Sequence, residues 1–195
     1  MADSDLVKLY SGRILELAAD IPHLGRLPHP QGTARKRSPL CGSTVTVDLA
    51  LEGDRIADYR QDVKACALGQ AAASVTGRAL LGRSRDELAT ARAELEAMLK
   101  RGGPVPAAPF NGLEVLLPAR DYANRHASIL LSLDAAMEAM DAAFKAAEEL
   151  YTQLNDTNAN WKKVYADYSA FRRDQNLWFR FTEARFDSYM QSVKL

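Results

Sequence analysis

Two cysteine thiols are the groups in this sequence with the clearest chemical potential. Cys41 precedes an alternating strand pattern, and Cys66 precedes a helix pattern. If the segment between them pairs as a hairpin, the two thiols meet at one edge of a sheet. Thiolates bind metal ions and carry sulfur, and a helix N-terminus or nearby cations lower a thiol pKa. Spacing alone also permits the simpler interpretation that both cysteines are small buried apolar side chains.

Two thiols do not complete a metal site, because zinc and iron–sulfur centres usually take four protein ligands, or three and an open position. His126, near the start of a long predicted helix, is the third candidate ligand. A fourth ligand would come from a second copy of the chain, an incoming partner or water. The alternative is that His126 is a hydrogen-bonded polar residue at a helix start.

A small sheet would position the thiols. Val45, Val47 and Leu49 alternate with polar residues, which predicts a half-buried strand. Two weaker strands after a charged turn would complete an antiparallel meander with one wet face. The predicted strands cover residues 44–51, 55–60 and 63–65.

The segment that precedes this sheet, residues 22–39, is rich in proline and basic residues. Its composition predicts an irregular segment. We expect either a solvated loop or a docking surface for an acidic partner.

Helical patterns fill most of the remaining chain. A capping box that begins at Ser84 opens one of them, and Gly102 and Gly103 end it. The aromatic residues are unevenly distributed, since 11 of 15 lie between Phe144 and Tyr189. The predicted helices cover residues 5–19, 68–81, 84–101 and 120–154, then, after a turn at 155–158, two helices around 161–171 and 177–193.

Composition limits the classes of function. The 195 residues carry 25 basic and 25 acidic side chains, and this zero net charge argues against nucleic acid or an acidic membrane as partner. The acidic N-terminus and the lack of a long apolar run predict a cytoplasmic protein without membrane spans, in which thiols stay reduced. No catalytic triad, phosphate loop or paired carboxylates appear, so we do not expect an enzyme.

A family resemblance rests on short runs in a fixed order. The runs are Pro39-Leu40-Cys41-Gly42-Ser43, Ala65-Cys66-Ala67-Leu68-Gly69-Gln70 and Leu81-Gly82-Arg83-Ser84. Together they resemble the iron–sulfur cluster assembly scaffold family of the IscU/SufU/NifU N-terminal type, over about residues 6–140. The resemblance implies an α+β fold, a small three-stranded antiparallel sheet with helices packed on one face. A helical extension, residues 141–195, would follow this scaffold-like domain.

The resemblance also implies a ligand set. The family uses three cysteines and one aspartate to bind an iron–sulfur cluster or zinc. Cys41 and Cys66 match the first two cysteines, and Ser43 stands at the aspartate position. Ala127 stands at the third cysteine position, directly after His126. Half of the family's ligand set is therefore replaced in this chain. The implied partners are a cysteine desulfurase, as sulfur donor, and apo-protein acceptors.

The tail carries a second resemblance. Its runs around Trp161, Phe171 and Phe186 resemble the last helices of TRAP-type (dicarboxylate) solute-binding proteins. The ligand-holding lobes of that family have no counterpart here, so this resemblance implies a helical appendage and no ligand site.

Three hypotheses follow from the sequence. The first is a scaffold-like protein of iron–sulfur cluster assembly that binds iron, zinc or sulfur through Cys41 and Cys66. The second is a structural or interaction module with the same fold, without metal, that forms a homo-oligomer through its C-terminal helices. The third is a fragment related to a TRAP solute-binding protein.

Overall fold

The computed structural model describes residues 12–192, without the side chains of residues 180 and 183–192. It divides the chain into two compact units, the first ending at Ala146 and the second beginning at Ala147. The elements in chain order are α1 (Gly12–Ala19), β1 (Gly32–Arg37), β2 (Thr44–Glu52), β3 (Arg55–Lys64), α2 (Ala67–Ala79), α3 (Arg85–Arg101), a 3-10 helix (Asn111–Asp121), α4 (Ala123–Thr157) and α5 (Ala159–Ser192).

The first unit is built on a three-stranded antiparallel sheet in the order β1-β2-β3. The central strand, β2, alternates as the sequence predicts, so that Val45, Val47 and Leu49 are fully buried. Helices pack on this face, and the α+β prediction is confirmed. Their small side chains, among them buried alanines of α2, allow a close approach to the sheet.

Strand β1 corrects the prediction that residues 22–39 are irregular throughout. Gly32–Arg37 pairs along its whole length with β2. Its only apolar side chain is Ala34, which is buried, while Thr33, Arg35 and Arg37 are exposed. A strand with one small apolar side chain gives almost no hydrophobic alternation, so the sequence pattern missed it.

Strand β3 corrects a second detail, because the predicted strands 55–60 and 63–65 form one continuous strand, Arg55–Lys64. The polar Gln61 interrupts the apolar pattern, but it is fully buried. Its side-chain nitrogen, Nε2, donates to the carbonyl of Pro22 (2.9 Å), which satisfies that nitrogen inside the core.

The irregular segment before β1 is held to the sheet by a buried carboxylate. The side chain of Asp48 is fully buried and accepts hydrogen bonds from Arg26 Nε (2.5 Å), Thr33 Oγ1 (2.7 Å) and the backbone N–H of Leu27 (3.1 Å). Burial would raise the pKa of Asp48, but these donors outweigh it and lower that pKa. Part of the basic charge of this segment therefore serves an internal contact.

The capping box predicted at the start of α3 is confirmed. Ser84 accepts from the N–H of Glu87 (3.3 Å), and the Glu87 carboxylate accepts from the N–H of Ser84 (2.8 Å).

Helix α1 begins, among the described residues, at Gly12, and the first part of the predicted helix 5–19 lies outside them.

The second unit contains the end of α4 and all of α5. The turn predicted at 155–158 is reduced to Asn158, whose Oδ1 accepts from the N–H of Trp161 (3.0 Å) and caps α5. The two predicted tail helices are one, because residues 172–176 contain neither glycine nor proline. Tyr151 of α4 packs against Trp161 and Tyr165 of α5, with ring centroids 5.5 and 5.4 Å apart.

The glycine at the start of β1 allows α4 to approach the sheet. A Cβ atom built on Gly32 would lie 2.0 Å from the carbonyl oxygen of Ala139 and 2.9 Å from the Cβ of Ala143. Both neighbours belong to a helix whose backbone cannot shift alone. Only glycine fits this contact.

We expect Gly32→Ala to lower the free energy of unfolding by about 2 kcal/mol, since the added methyl group overpacks the contact with α4. Urea unfolding followed by circular dichroism measures this change. Gly12→Ala is the matched control, because nothing lies within 4 Å of a Cβ at Gly12. A loss at Gly32 no larger than at Gly12 would contradict the close contact.

Candidate functional site

The two cysteines lie at the same edge of the three-stranded sheet, where β1 ends, β2 begins and β3 ends. In the sheet register, Thr44 of β2 pairs with Arg37 of β1 on one side and Lys64 of β3 on the other. Cys41 lies in the connection that leads into β2, and Cys66 lies between β3 and α2. The sequence-based expectation that a hairpin brings the thiols to the same edge therefore agrees with the register.

Ser43 is the link between the two cysteines. Its side-chain oxygen lies 3.1 Å from Cys41 Sγ and accepts the backbone N–H of Cys66 (3.4 Å). Its backbone carbonyl accepts the N–H of Ser38 (2.8 Å). Ser43 is buried, whereas both cysteines are half-buried. One buried hydroxyl thus contacts the segments that carry both thiols.

Helix α4 adds a second buried hydroxyl. Ser128 Oγ lies 3.5 Å from Cys66 Sγ. This approach requires Gly69 in α2, because a Cβ there would lie 2.5 Å from Ser128 Oγ. Neither Ser128 nor Ser38 is among the site residues predicted from the sequence. Ser128 directly follows Ala127, so its place beside the third cysteine position was the signal available.

Nearby serine hydroxyls favour the ionised form of the Cys41 thiol. The protonated Cys41 thiol donates to Ser38 Oγ at 3.3 Å, and the same hydroxyl can donate to the sulfur once the thiol has lost its proton. Burial raises the pKa of Cys41, but hydrogen bonds from Ser38, Ser43 and Ser128 outweigh it and lower the pKa to about 7. A substantial fraction of Cys41 is therefore thiolate at neutral pH, the form that binds metal ions and attacks electrophiles.

Cys66 occupies the N-terminal cap of α2, as the sequence predicted, and its side chain makes no capping hydrogen bond. Its carbonyl accepts the N–H of Gln70 (2.9 Å), the first bond of the helix. A helix N-terminus carries partial positive charge, which favours negatively charged groups nearby.

His126 is not part of this cluster. It is buried, and its Nε2 lies 2.9 Å from the carbonyl oxygen of Ala119 at the end of the 3-10 helix. Within residues 12–192 no group of three or more His, Cys, Asp and Glu side chains could hold a metal ion. The predicted combination of Cys41, Cys66 and His126 is therefore not brought together among the described residues.

The donor set fits half of a four-ligand metal site. Cys41 and Cys66 supply two thiols, and Ser43 and Ser128 supply neutral hydroxyls within hydrogen-bond distance of sulfur. A hydroxyl is a far weaker ligand for iron or zinc than a thiolate or carboxylate. The two thiols are therefore the groups at this edge whose chemistry suits a metal or sulfur species, and the hydroxyls do not complete a four-ligand site.

Comparison with known proteins identifies the fold. The family model of the NifU-like N-terminal domain matches residues 9–119, more than half of the chain. The chain belongs to the NifU-like N-terminal domain family. A NifU-like protein (N-terminal) from Brucella abortus is 41% identical, with a TM-score of 0.69, over 72% of this chain and 98% of that one.

A more distant structure shares the fold of this NifU-like domain. It is described as an iron–sulfur cluster assembly scaffold protein for the SUF system, from Fervidobacterium islandicum. It is 21% identical and covers 69% of this chain and 98% of its own length, with a TM-score of 0.62. Both structures are matched over 98% of their own length, but the matches cover only 72% and 69% of this chain. The family match ends at residue 119, so the NifU-like domain is followed by additional sequence.

No helix within residues 12–192 is both long and apolar enough to span a membrane.

We expect Ser43→Ala to raise the pKa of Cys41 from about 7 towards the ordinary thiol value, because one donor to the thiolate is lost. The measurement is the rate of iodoacetamide labelling at the Cys41 peptide as a function of pH, read by mass spectrometry. The midpoint of the wild-type profile should lie near pH 7 and that of the variant higher.

Ser169→Ala is the control, since this serine lies in α5 and its hydroxyl donates to Ala166 in the same helix. It should leave the labelling profile unchanged. An identical midpoint in Ser43→Ala and wild type would contradict the role of Ser43.

Proposed function

We propose that this protein is a non-enzymatic scaffold of iron–sulfur cluster assembly that binds iron or sulfur species through Cys41 and Cys66. The observation that carries the proposal is the hydrogen-bonded edge of the sheet, where Ser43 and Ser128 contact the two cysteines of a NifU-like domain. A scaffold must bind its cargo and then release it, and an incomplete ligand set favours release.

The chemistry follows from the two thiolates. Each supplies a soft sulfur ligand to iron, and the buried hydroxyls lower the charge density on sulfur by hydrogen bonding. The remaining positions on the metal would be filled by sulfide and by thiols from outside the chain. Zinc could occupy the same two thiolates with water or external ligands.

The partners proposed are those implied by the family. A cysteine desulfurase would supply sulfur, and apo-proteins would accept the assembled cluster. The half-buried state of both cysteines leaves the sulfur atoms partly open to such partners. Exposed Arg35 and Arg37 lie on the strand that ends at this edge and would favour acidic surfaces.

Anaerobic addition of ferric iron and sulfide to the purified protein should produce visible charge-transfer absorption from thiolate-bound ferric iron. We expect Cys41→Ser and Cys66→Ser each to lose this absorption, because a hydroxyl replaces one of only two thiolates. Metal analysis of protein purified without air measures bound iron and zinc independently.

Ser43→Asp with Ala127→Cys is the complementary variant, since it restores the family's ligand types at both altered positions. It should retain iron longer than wild type under the same conditions. Ser169→Ala should behave as wild type. A colourless wild-type protein without iron or zinc would contradict the metal-binding proposal.

A second proposed property is self-association through the C-terminal helices. Large apolar side chains of α5 are exposed in the second unit: Val164, Tyr168, Phe171, Leu177, Trp178, Phe179 and Phe181. So many exposed large apolar side chains on one helix are typical of an interaction site.

We expect the full-length protein to gain mass with concentration in sedimentation equilibrium, and a variant with both Phe171→Ser and Trp178→Ser to remain monomeric. The loss of two aromatic side chains removes much of the apolar surface that association would bury. Lys162→Ser, an exposed position on the same helix, is the control. A monomeric wild type at all concentrations would contradict self-association.

A further inference from the structure

Helix α5 carries an exposed apolar stripe with a seven-residue repeat. Val164, Phe171 and Trp178 are seven residues apart, and their relative exposures are 69%, 62% and 63%. Tyr168 lies between the first two, four residues after Val164. Spacing of three and four residues that repeats every seven is the pattern of a coiled-coil seam.

This stripe lies beside the contact within the helical hairpin. Trp161 and Tyr165 of α5 stack on each other and pack against Tyr151 of α4, and both are half-buried. Val164 and Tyr168 are adjacent on the helix surface but exposed. The hairpin therefore uses one side of α5 and leaves the repeat available.

The seven-residue register assigns a role to each position. With Val164, Phe171 and Trp178 at the d positions, Tyr168 and Gln175 fall at the a positions. Gln175 is half-buried and polar. One polar residue at an a position favours a single register over slipped alternatives. The seam from Val164 to Trp178 is about 21 Å long at 1.5 Å per residue.

Charged residues beside the seam favour a second copy of α5 as the partner and a parallel orientation of the two helices. Asp167 falls at a g position and Arg172 at the e position five residues later, and both are exposed. In a parallel pair of identical helices, each g residue faces the e residue five places on in the other helix. Two copies of α5 would therefore form two Asp167–Arg172 ion pairs related by the twofold axis.

An antiparallel pair is disfavoured by the same charges. There, g faces g and e faces e, so Asp167 would approach the g positions of the other copy, which include Asp174. Arg172 likewise would approach another e position. Within its own chain Arg172 lies 4.0 Å from Glu148, at the limit of an ion pair, which leaves the guanidinium free to reach a second carboxylate.

We propose that the exposed stripe of α5 binds the same stripe of a second copy of this chain in a parallel coiled coil, with Asp167 paired to Arg172 across the interface. This inference rests on the proposed self-association and adds its surface, direction and ion pairs.

Charge exchange in the full-length protein tests the pairing. Asp167→Arg and Arg172→Asp, made singly, should each raise the dissociation constant about fivefold, because two attractive pairs become two repulsive ones. The double exchange should restore the wild-type constant to within about twofold. Arg173→Asp, an exposed neighbour outside the e and g positions, is the control and should change little.

Spin labels test the direction. Lys162→Cys, Ser169→Cys and Asn176→Cys, each in a Cys41→Ser/Cys66→Ser background, place labels seven residues apart along one side of α5. A parallel pair gives the same short distance between copies at all three sites. Distances that change along the helix, or a double exchange that restores nothing, would overturn the parallel coiled coil while leaving self-association intact. A monomer in sedimentation would overturn both.

Discussion

The pairing of β2 with a strand on each side is the constraint on which the candidate site depends. Because Thr44 lies opposite both Arg37 and Lys64, the end of β1, the start of β2 and the end of β3 share one edge. A shift of one residue in either pairing would move the thiols apart and turn the buried valines of β2 outwards. Burial of Val45, Val47 and Leu49 therefore fixes the chemistry as well as the core.

The sequence predicted the parts of this arrangement that depend on strong local signals. The alternation of β2, the capping box at Ser84 and the family runs around Cys41 and Cys66 led to the fold and the thiol edge. It missed β1, whose strand character comes from pairing with β2 rather than from its own side chains. It also divided α5, since a polar stretch without breakers resembles a loop until the full helix is considered.

The site itself was less predictable, because its supporting groups come from distant parts of the chain. Ser128 reaches Cys66 across 62 residues, and Gly69 makes room for it. His126 illustrates the converse. Its position beside the altered cysteine made it a reasonable candidate ligand, but on a helix adjacent residues point in different directions, and its ring meets the carbonyl of Ala119. Contact across helices is decided by packing, which residue spacing alone does not encode.

The hydroxyl of Ser43 has a consequence for motion at the site. It contacts Cys41 in a connecting loop and the backbone N–H of Cys66 at the start of α2. Any displacement of the loop that carries Cys41 away from Ser43 strains or breaks this link, and a displacement of Ser43 itself frees the first turn of α2. Opening of the thiol edge and fraying of that turn are thus coupled through one hydroxyl. The lifetime of a bound species would then depend on the stability of a helix end as well as on the strength of its bonds to sulfur.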